Sequence, residues 1–374
     1  HIMIRLLFLF VFISASAYGQ KQGNIWYFGD GYGLDFNSTP PTLLDDGQTA
    51  PSVACGDLHI EGTASIADSS GSLLFYTDGQ TLWNKNHQPM PNGTGLLGGS
   101  SSTQAALIVP RPESDTRYYV FTTDDFCNGL ANGLRYSIVD ICEDNTQGDV
   151  VPKLKNILLQ DTMAEKLAAV RHANGTDYWV LSHGYFSNKF YAFQVTPQGV
   201  EPPIISSVGS IHEGGGANNM WNARGQLKFA PLGNRVAIGA INTTPIFELF
   251  DFDNSTGVLS NLIELPSLAG AFGIAFSPEG TKLYETPIFK QYDLTAGNGN
   301  VDSIMASGYE YLDPHLECGA ALQLGPDGKI YMYNCFDNDI SVIHNPDLLG
   351  ASSNAEPNVY TMQTNALVYG LPAM

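Results

Sequence analysis

Along most of this chain apolar positions come in short runs of four to eight residues, rich in Val, Ile, Tyr and Phe, and broken by Pro/Gly turns. Helical stripes are few. That pattern predicts strands joined by tight turns. The clearest unit is Phe276-Ser277-Pro278-Glu279-Gly280-Thr281-Lys282-Leu283-Tyr284. An apolar strand ends, a turn follows, and a second apolar strand begins. The same order recurs at Phe229–Val236 around Pro231 and Gly233, and at Leu324–Tyr331 around Pro326 and Gly328. Looser copies surround Gly71 and Gly175, and a copy without glycine spans Ile108–Tyr119. Pro presets the first turn dihedral and Gly takes the positive one, so each copy reads as a hairpin. Gly233, Gly280 and Gly328 are 47 and 48 residues apart, and Gly175 precedes Gly233 by 58. A period of roughly 40–50 residues containing strand pairs predicts propeller blades.

Six blades follow, starting near Ala64, Ala105, Leu167, Gln226, Phe272 and Ala320. Leu134–Val139 is expected as the outer strand of the second. Asn24–Gly29 and Leu34–Asn37 read as two short strands, and Ser38–Gly62 as a long polar connection. The stretch Asn365–Pro372 reads as the first strand of a seventh blade. Pairing it with the N-terminal strands would close the ring and remove exposed sheet edges. The expectation is an all-β, seven-bladed β-propeller occupying residues 20–374 as one domain. Completion of the last blade by a neighbouring copy would instead build a homo-polymer.

Composition adds location. Met3-Ile4-Arg5, the apolar run Leu6–Ile13 and the small residues Ser14–Gly19 read as a secretory signal peptide over residues 1–19. The run is too short to span a bilayer, and no transmembrane anchor is expected. The chain carries 17 Lys+Arg against 37 Asp+Glu, a net charge of −20. Phosphates would repel it, so nucleic acid is excluded as a partner. Five cysteines fit an oxidising compartment. Cys318 and Cys335 flank one hairpin and Cys127 and Cys142 bracket another segment, so both pairs are disulfide candidates, with Cys55 left over.

Several of these segments resemble a known family. They are Asn24-Ile25-Trp26-Tyr27-Phe28-Gly29, Gly71-Ser72-Leu73-Leu74-Phe75-Tyr76-Thr77-Asp78-Gly79, Leu82-Trp83-Asn84-Lys85-Asn86-His87, Ser101-Ser102-Thr103-Gln104 and Val368-Tyr369-Gly370-Leu371-Pro372. The chain resembles the N-terminal β-propeller region of secreted Bacteroidota proteins that carry gliding-motility-associated, type IX secretion sorting domains. The likeness is strong over residues 24–110 and looser beyond. The family's sorting domain does not follow in this sequence. The resemblance implies a secreted or cell-surface location more than a chemistry. Asp161-Thr162-Met163 and Asp302-Ser303-Ile304 resemble the O-glycosylation pattern of Bacteroidota, which marks Thr162 and Ser303 as acceptor candidates.

In a propeller the loops between blades and the loops after each second strand share one face. Candidate ligand-binding groups there are Asp78, Asp124, Asp125, His183, His212, Glu213, Trp221, Glu285, His315 and Glu317, with His59 and Glu61 beside them. Imidazole next to carboxylate could hold a divalent cation or act as an acid/base pair. The plainer alternative is that these groups hydrogen-bond loop backbone. Trp221 is the better candidate for a ligand platform, since the other tryptophans sit on strands. The Asp/Asn-rich turns at 253–257 and 293–300 read as hairpin chemistry, because no loop has EF-hand spacing. No catalytic residue is assigned and no cofactor is expected beyond a divalent cation. Two functions are open at this point. One is a secreted binding or structural module, for adhesion, surface scaffolding or filament building. The other is an extracellular hydrolase or lactonase-type enzyme working in the central channel.

Overall fold

The computed structural model describes residues 21–50, 52–54, 57–215, 220–241, 245–316, 319–334, 338–364, 367–368 and 370–373. The signal-peptide segment, Cys55, Glu317, Cys318 and Cys335 therefore lie outside the described residues.

Six antiparallel meanders follow one another in chain order and form blades one to six. Their innermost strands are Ala64–Ala67, Ala106–Pro110, Ala168–Arg171, Leu227–Phe229, Ile274–Phe276 and Gly319–Leu324. Each runs into the Pro/Gly turn read from the sequence. The turn glycines Gly71, Gly175, Gly233, Gly280 and Gly328 all have positive φ, between 66° and 93°. The Asp-rich outer turns are hairpin chemistry as expected. Asp253 accepts bonds from the Ser255 amide and hydroxyl, and Asp293 from those of Thr295.

The seventh blade comes from the N-terminus. Ile25–Tyr27, Gly33–Asp35 and Thr42–Leu44 form a three-stranded meander between blades six and one. Alternate residues of a strand face opposite ways, and two adjacent aromatics use this to lock the ring. Trp26 is fully buried, with its ring centroid 4.6 Å from Phe36 and 5.4 Å from Tyr331 of blade six. Tyr27 faces the other way and stacks on Tyr76 of blade one at 4.5 Å. The closing contact differs from the expected one. The strand Leu367–Val368 pairs in parallel with His59–Ile60, not with Ile25–Tyr27. Residues 370–373 continue along the same path, and the Ala373 amide donates to the Thr63 carbonyl. Part of the reason is that the stretch read as a polar connection holds three strands, Thr42–Leu44, Ser52–Ala54 and Asp57–Ile60.

Three further details depart from the sequence reading. Leu134–Asp140 is the third strand of blade two, and the fourth position is shared by Asp149–Val150 and Ile157–Gln160. In blade five the expected outer hairpin is interrupted by a helix at Val301–Ala306, capped by the Asn300 side chain. The pairing of Cys127 with Cys142 is not made. Cys142 is a free, exposed thiol. The two sit beyond opposite ends of Leu134–Asp140, and seven residues of strand span roughly 23 Å, far past disulfide reach.

Candidate functional site

Each inner strand starts at the loop face, so the residues just before it converge on the axis there. Two glutamines exploit this position. The Gln104 amide donates to the carbonyls of Leu167 (2.8 Å) and Leu227 (3.2 Å) and accepts from their amides (3.2 and 2.8 Å). One side chain thus ties blade two to blades three and four. Gln226 repeats the device one arc further on, accepting from the amides of Ile274 in blade five and Leu322 in blade six. Both glutamines are buried, and their amides occupy the loop-face end of the axial channel.

A charged cluster surrounds these staples. Glu165, fully buried, accepts from the Thr103 amide and hydroxyl (both 3.0 Å) and the Phe126 amide (2.8 Å). Lys166, also fully buried, points its Nζ at the carbonyls of Ala223, Arg224 and Gly225, at 3.1, 2.8 and 3.0 Å. Glu61 accepts from the Ser101 hydroxyl through Oε1, while its buried Oε2 has no partner among the described residues. Burial drives the Glu61 carboxyl well above its usual range, and the charge of Glu165 adds to this. Burial likewise raises Glu165, against its backbone donors. For Lys166, burial pushes the pKa down, to about 7. Three carbonyl oxygens facing three ammonium hydrogens argue that the charged form is nevertheless the one this pocket is shaped for. Lys166→Met should leave all three carbonyls without a donor and cost roughly 1–3 kcal/mol of stability, measured by urea unfolding.

Above this layer Arg224 is sandwiched by aromatic rings. Its guanidinium lies 4.8 Å from the Trp221 ring and 5.3 Å from the Phe126 ring. Trp221 is 40% exposed, and Phe186, in contact with Tyr185, is 50% exposed. The Tyr185 hydroxyl and the Trp221 amide both bond the loop carbonyls at Gly214 and Gly215. The outcome is an open aromatic ledge beside a closed axis.

The fold brings some of the sequence candidates together and separates others. His183 and His212 end the second and fourth strands of blade three, and two chain reversals place them at the same end. Their ring centroids lie 4.0 Å apart with the planes tilted by 36°, both buried. Among the described residues neither His212 nitrogen has a partner, nor does His183 Nδ1. Burial and then Lys166 push His183 down to about 3, and burial and then His183 push His212 well below its normal value. Both are therefore neutral. Asp124 is spent on the Asn132 amide and the Asn128 side chain, and Asp125 caps the turn at Phe126–Asn128. Asp78 accepts from the amides of Gln80 and Thr81 and stands apart. Glu213 is exposed. Glu285 lies on blade five in a separate cavity of ≈ 390 Å³ with Ser267, Lys290 and Glu310. Burial raises its carboxyl to about 7. His315 is exposed, in the turn Pro314–Leu316, and its neighbour Glu317 is outside the described residues. Of the glycosylation candidates, Thr162 is exposed at a turn with φ of 52°, whereas the Ser303 hydroxyl bonds Asn300 in the helix cap. Among the described residues no three His, Cys, Asp or Glu side chains form a metal-holding group. Also among them, no helix is long and apolar enough to cross a membrane.

Sequence reading missed Gln104, Glu165, Lys166, Arg224 and Gln226. The available signal was an adjacent opposite-charge pair, Glu165-Lys166, directly before an inner strand in a chain only 14% charged.

These carboxyls set a pH dependence. A carboxyl that holds its proton more tightly when folded stabilises the protein most at low pH and loses that stability as pH rises. The window runs from the ordinary carboxyl value of 4.5 up to about 7 for Glu285, with Glu61 and Glu165 shifted in the same direction. His183 and His212, whose values are pushed down, act in the opposite sense below about pH 6.5. Three carboxyls outnumber two imidazoles, so Tm should fall between about pH 5 and pH 7, most steeply above about pH 6.5. Self-repulsion of a chain with net charge −20 acts in the same sense. The variant Glu165→Gln separates the two effects and should flatten the fall; an unchanged slope would mean that this carboxyl is not responsible.

No protein-family model matches the sequence, and none of the curated proteins matches it. Solved structures do resemble it. A putative 6-phosphogluconolactonase from Bacteroides uniformis is 14% identical over 85% of this chain and 89% of its own, with a TM-score of 0.51. Kuenenia stuttgartiensis hydrazine synthase is 12% identical over 86% and 96%, at TM-score 0.47. A periplasmic gluconolactonase from Pseudomonas aeruginosa is 13% identical over 70% and 73%, at TM-score 0.42. At such identities the first of these speaks for the propeller fold alone.

Proposed function

We propose that this propeller is a secreted or cell-surface binding and structural module, acting in adhesion, surface scaffolding or an extracellular filament. The observation that carries the reading is the contrast on the loop face. Gln104 and Gln226 occupy the axis, where a propeller enzyme would need an open pit, while Trp221 and Phe186 stand exposed beside it. An exposed aromatic ledge backed by a guanidinium suits a glycan or protein surface. The signal-like N-terminus and the resemblance to secreted Bacteroidota proteins support an extracellular location and a link to gliding and type IX secretion. The seventh blade forms within one chain, so polymerisation would use outer surfaces and need not share strands.

The second reading is an extracellular hydrolase or lactonase. What favours it is the unpartnered Glu61 Oε2 near Glu165, two buried carboxyls with raised pKa. A single experiment separates the two. Labelled protein is titrated onto Bacteroidota cells and a glycan panel, alongside the double variant Trp221→Ala/Phe186→Ser, with lactone hydrolysis followed on the same preparations. Saturable binding that the double variant loses supports the module. Turnover abolished by Glu165→Gln, with binding indifferent to Trp221 and Phe186, would replace it with the enzyme.

A further inference from the structure

The channel is not filled along its whole length. Beyond the Gln104 staple lies a cavity of ≈ 270 Å³ at the axis, lined by the inner strands of blades three to six. Exposure rises along it. Leu167 and Gln104 are buried, Val170 and Leu324 are half-buried, and Pro231 in the turn is exposed. The cavity therefore opens on the turn face, opposite the aromatic ledge. Its wall is apolar apart from three side chains, Gln104, Lys228 and Gln323. Among the described residues Lys228 is the one ionisable group lining it.

Lys228 is out of place by the logic of the repeat. It stands five residues before its turn glycine, where blade five has Ala275 and blade six has Gln323. Its Nζ donates to Gln323 Oε1 across the channel. An ammonium has three hydrogens to place, and this bond uses one. No carboxylate pairs with it among the described residues, and burial alone is what pushes its pKa down, to about 7. Lys228 is half-buried, so water solvates its ammonium only in part, and the remaining cost of a cation without a counter-charge falls when an anion joins it. A hydrophobic residue here would pack at no such cost.

We propose that this cavity binds a short amphiphilic monocarboxylate, its carboxylate on Lys228 Nζ and its apolar body along Val170, Ile274, Phe276 and Leu324. Size agrees. Scaling from a cavity of ~150 Å³ that holds benzene, the space takes roughly ten non-hydrogen atoms. The ion pair forms in a site walled off from water at its inner end, where a charge-assisted hydrogen bond is strong. The site is separate from the loop face, so it stands or falls independently of the function proposed above.

Hexanoate is the probe, with hexan-1-ol as its uncharged counterpart, on the full protein. Hexanoate should raise the Tm of the wild type and hexanol should not. Lys228→Met should abolish the hexanoate shift while raising the Tm of the unliganded protein. The second measurement needs no variant. Carboxyl-labelled hexanoate, followed by NMR, should bind roughly a hundredfold more weakly at about pH 9 than at about pH 6, because the amine loses its charge over that range. Equal stabilisation by hexanol, a shift retained in Lys228→Met, pH-independent binding, or no binding by hexanoate would each overturn the proposal.

Discussion

Replacing Gln104 by Leu should destabilise the protein by roughly 4–6 kcal/mol, among the largest effects any single side chain here can have. The side chain is 2% exposed, and its amide satisfies four buried backbone groups, the N–H and C=O of Leu167 and of Leu227. Leucine fills similar volume but bonds none of them. Each abandoned group costs on the order of 1–3 kcal/mol, and partial relaxation keeps the sum below the simple total. Gln226→Leu provides the internal control, because its side chain serves two backbone groups, both amides, instead of four. Urea unfolding should show a larger fall in midpoint for Gln104→Leu than for Gln226→Leu. Equal losses would mean that burial, and not the number of bonds, sets the cost.

The second large effect is at the seam of the ring. Trp26→Ala should cost roughly 3–5 kcal/mol, as large aromatic deletions in cores do. Trp26 is fully buried among Phe28, Phe36, Leu371 and the blade-six residues Tyr331 and Tyr333. Its indole N–H has no partner, so packing alone holds it, and Trp26→Phe should recover much of the loss. Limited proteolysis offers a local readout. In Trp26→Ala the meander of residues 25–44 should become cleavable before blades two to five. Uniform protection with a lowered Tm would argue against a seam at that place.

Most of the architecture could be read in advance, because propeller blades advertise themselves. The Pro and Gly of each inner turn are fixed by dihedral demands, and strand alternation is fixed by the pleat. Where an insertion dilutes the repeat, as in blades two and five, the outer strands were misplaced. The helix at Val301–Ala306 had only a one-turn signal, Asn300 with Asp302 behind it. The site was legible in part. His183 and His212 were picked out as loop-face residues, but their ring contact follows from the meander and from no spacing in the chain. Gln104 could not be recognised, since its partners lie 63 and 123 residues away. A side chain that works across an axis leaves no periodic trace. Lys228 was detectable only after the repeats were aligned on their turn glycines.

The two glutamine staples also divide the ring into parts that should not open together. Gln104 joins blades two, three and four, Gln226 joins blades four, five and six, and blade four belongs to both arcs. Blades one and seven lie outside either tie. Local opening there breaks neither glutamine tie. Native-state hydrogen exchange should accordingly report two cooperative units, with a slow arc spanning residues 106–361 and a faster one spanning residues 25–94. The chain would then breathe at the join between its first strands and its last, with the axis of blade four as its most protected point.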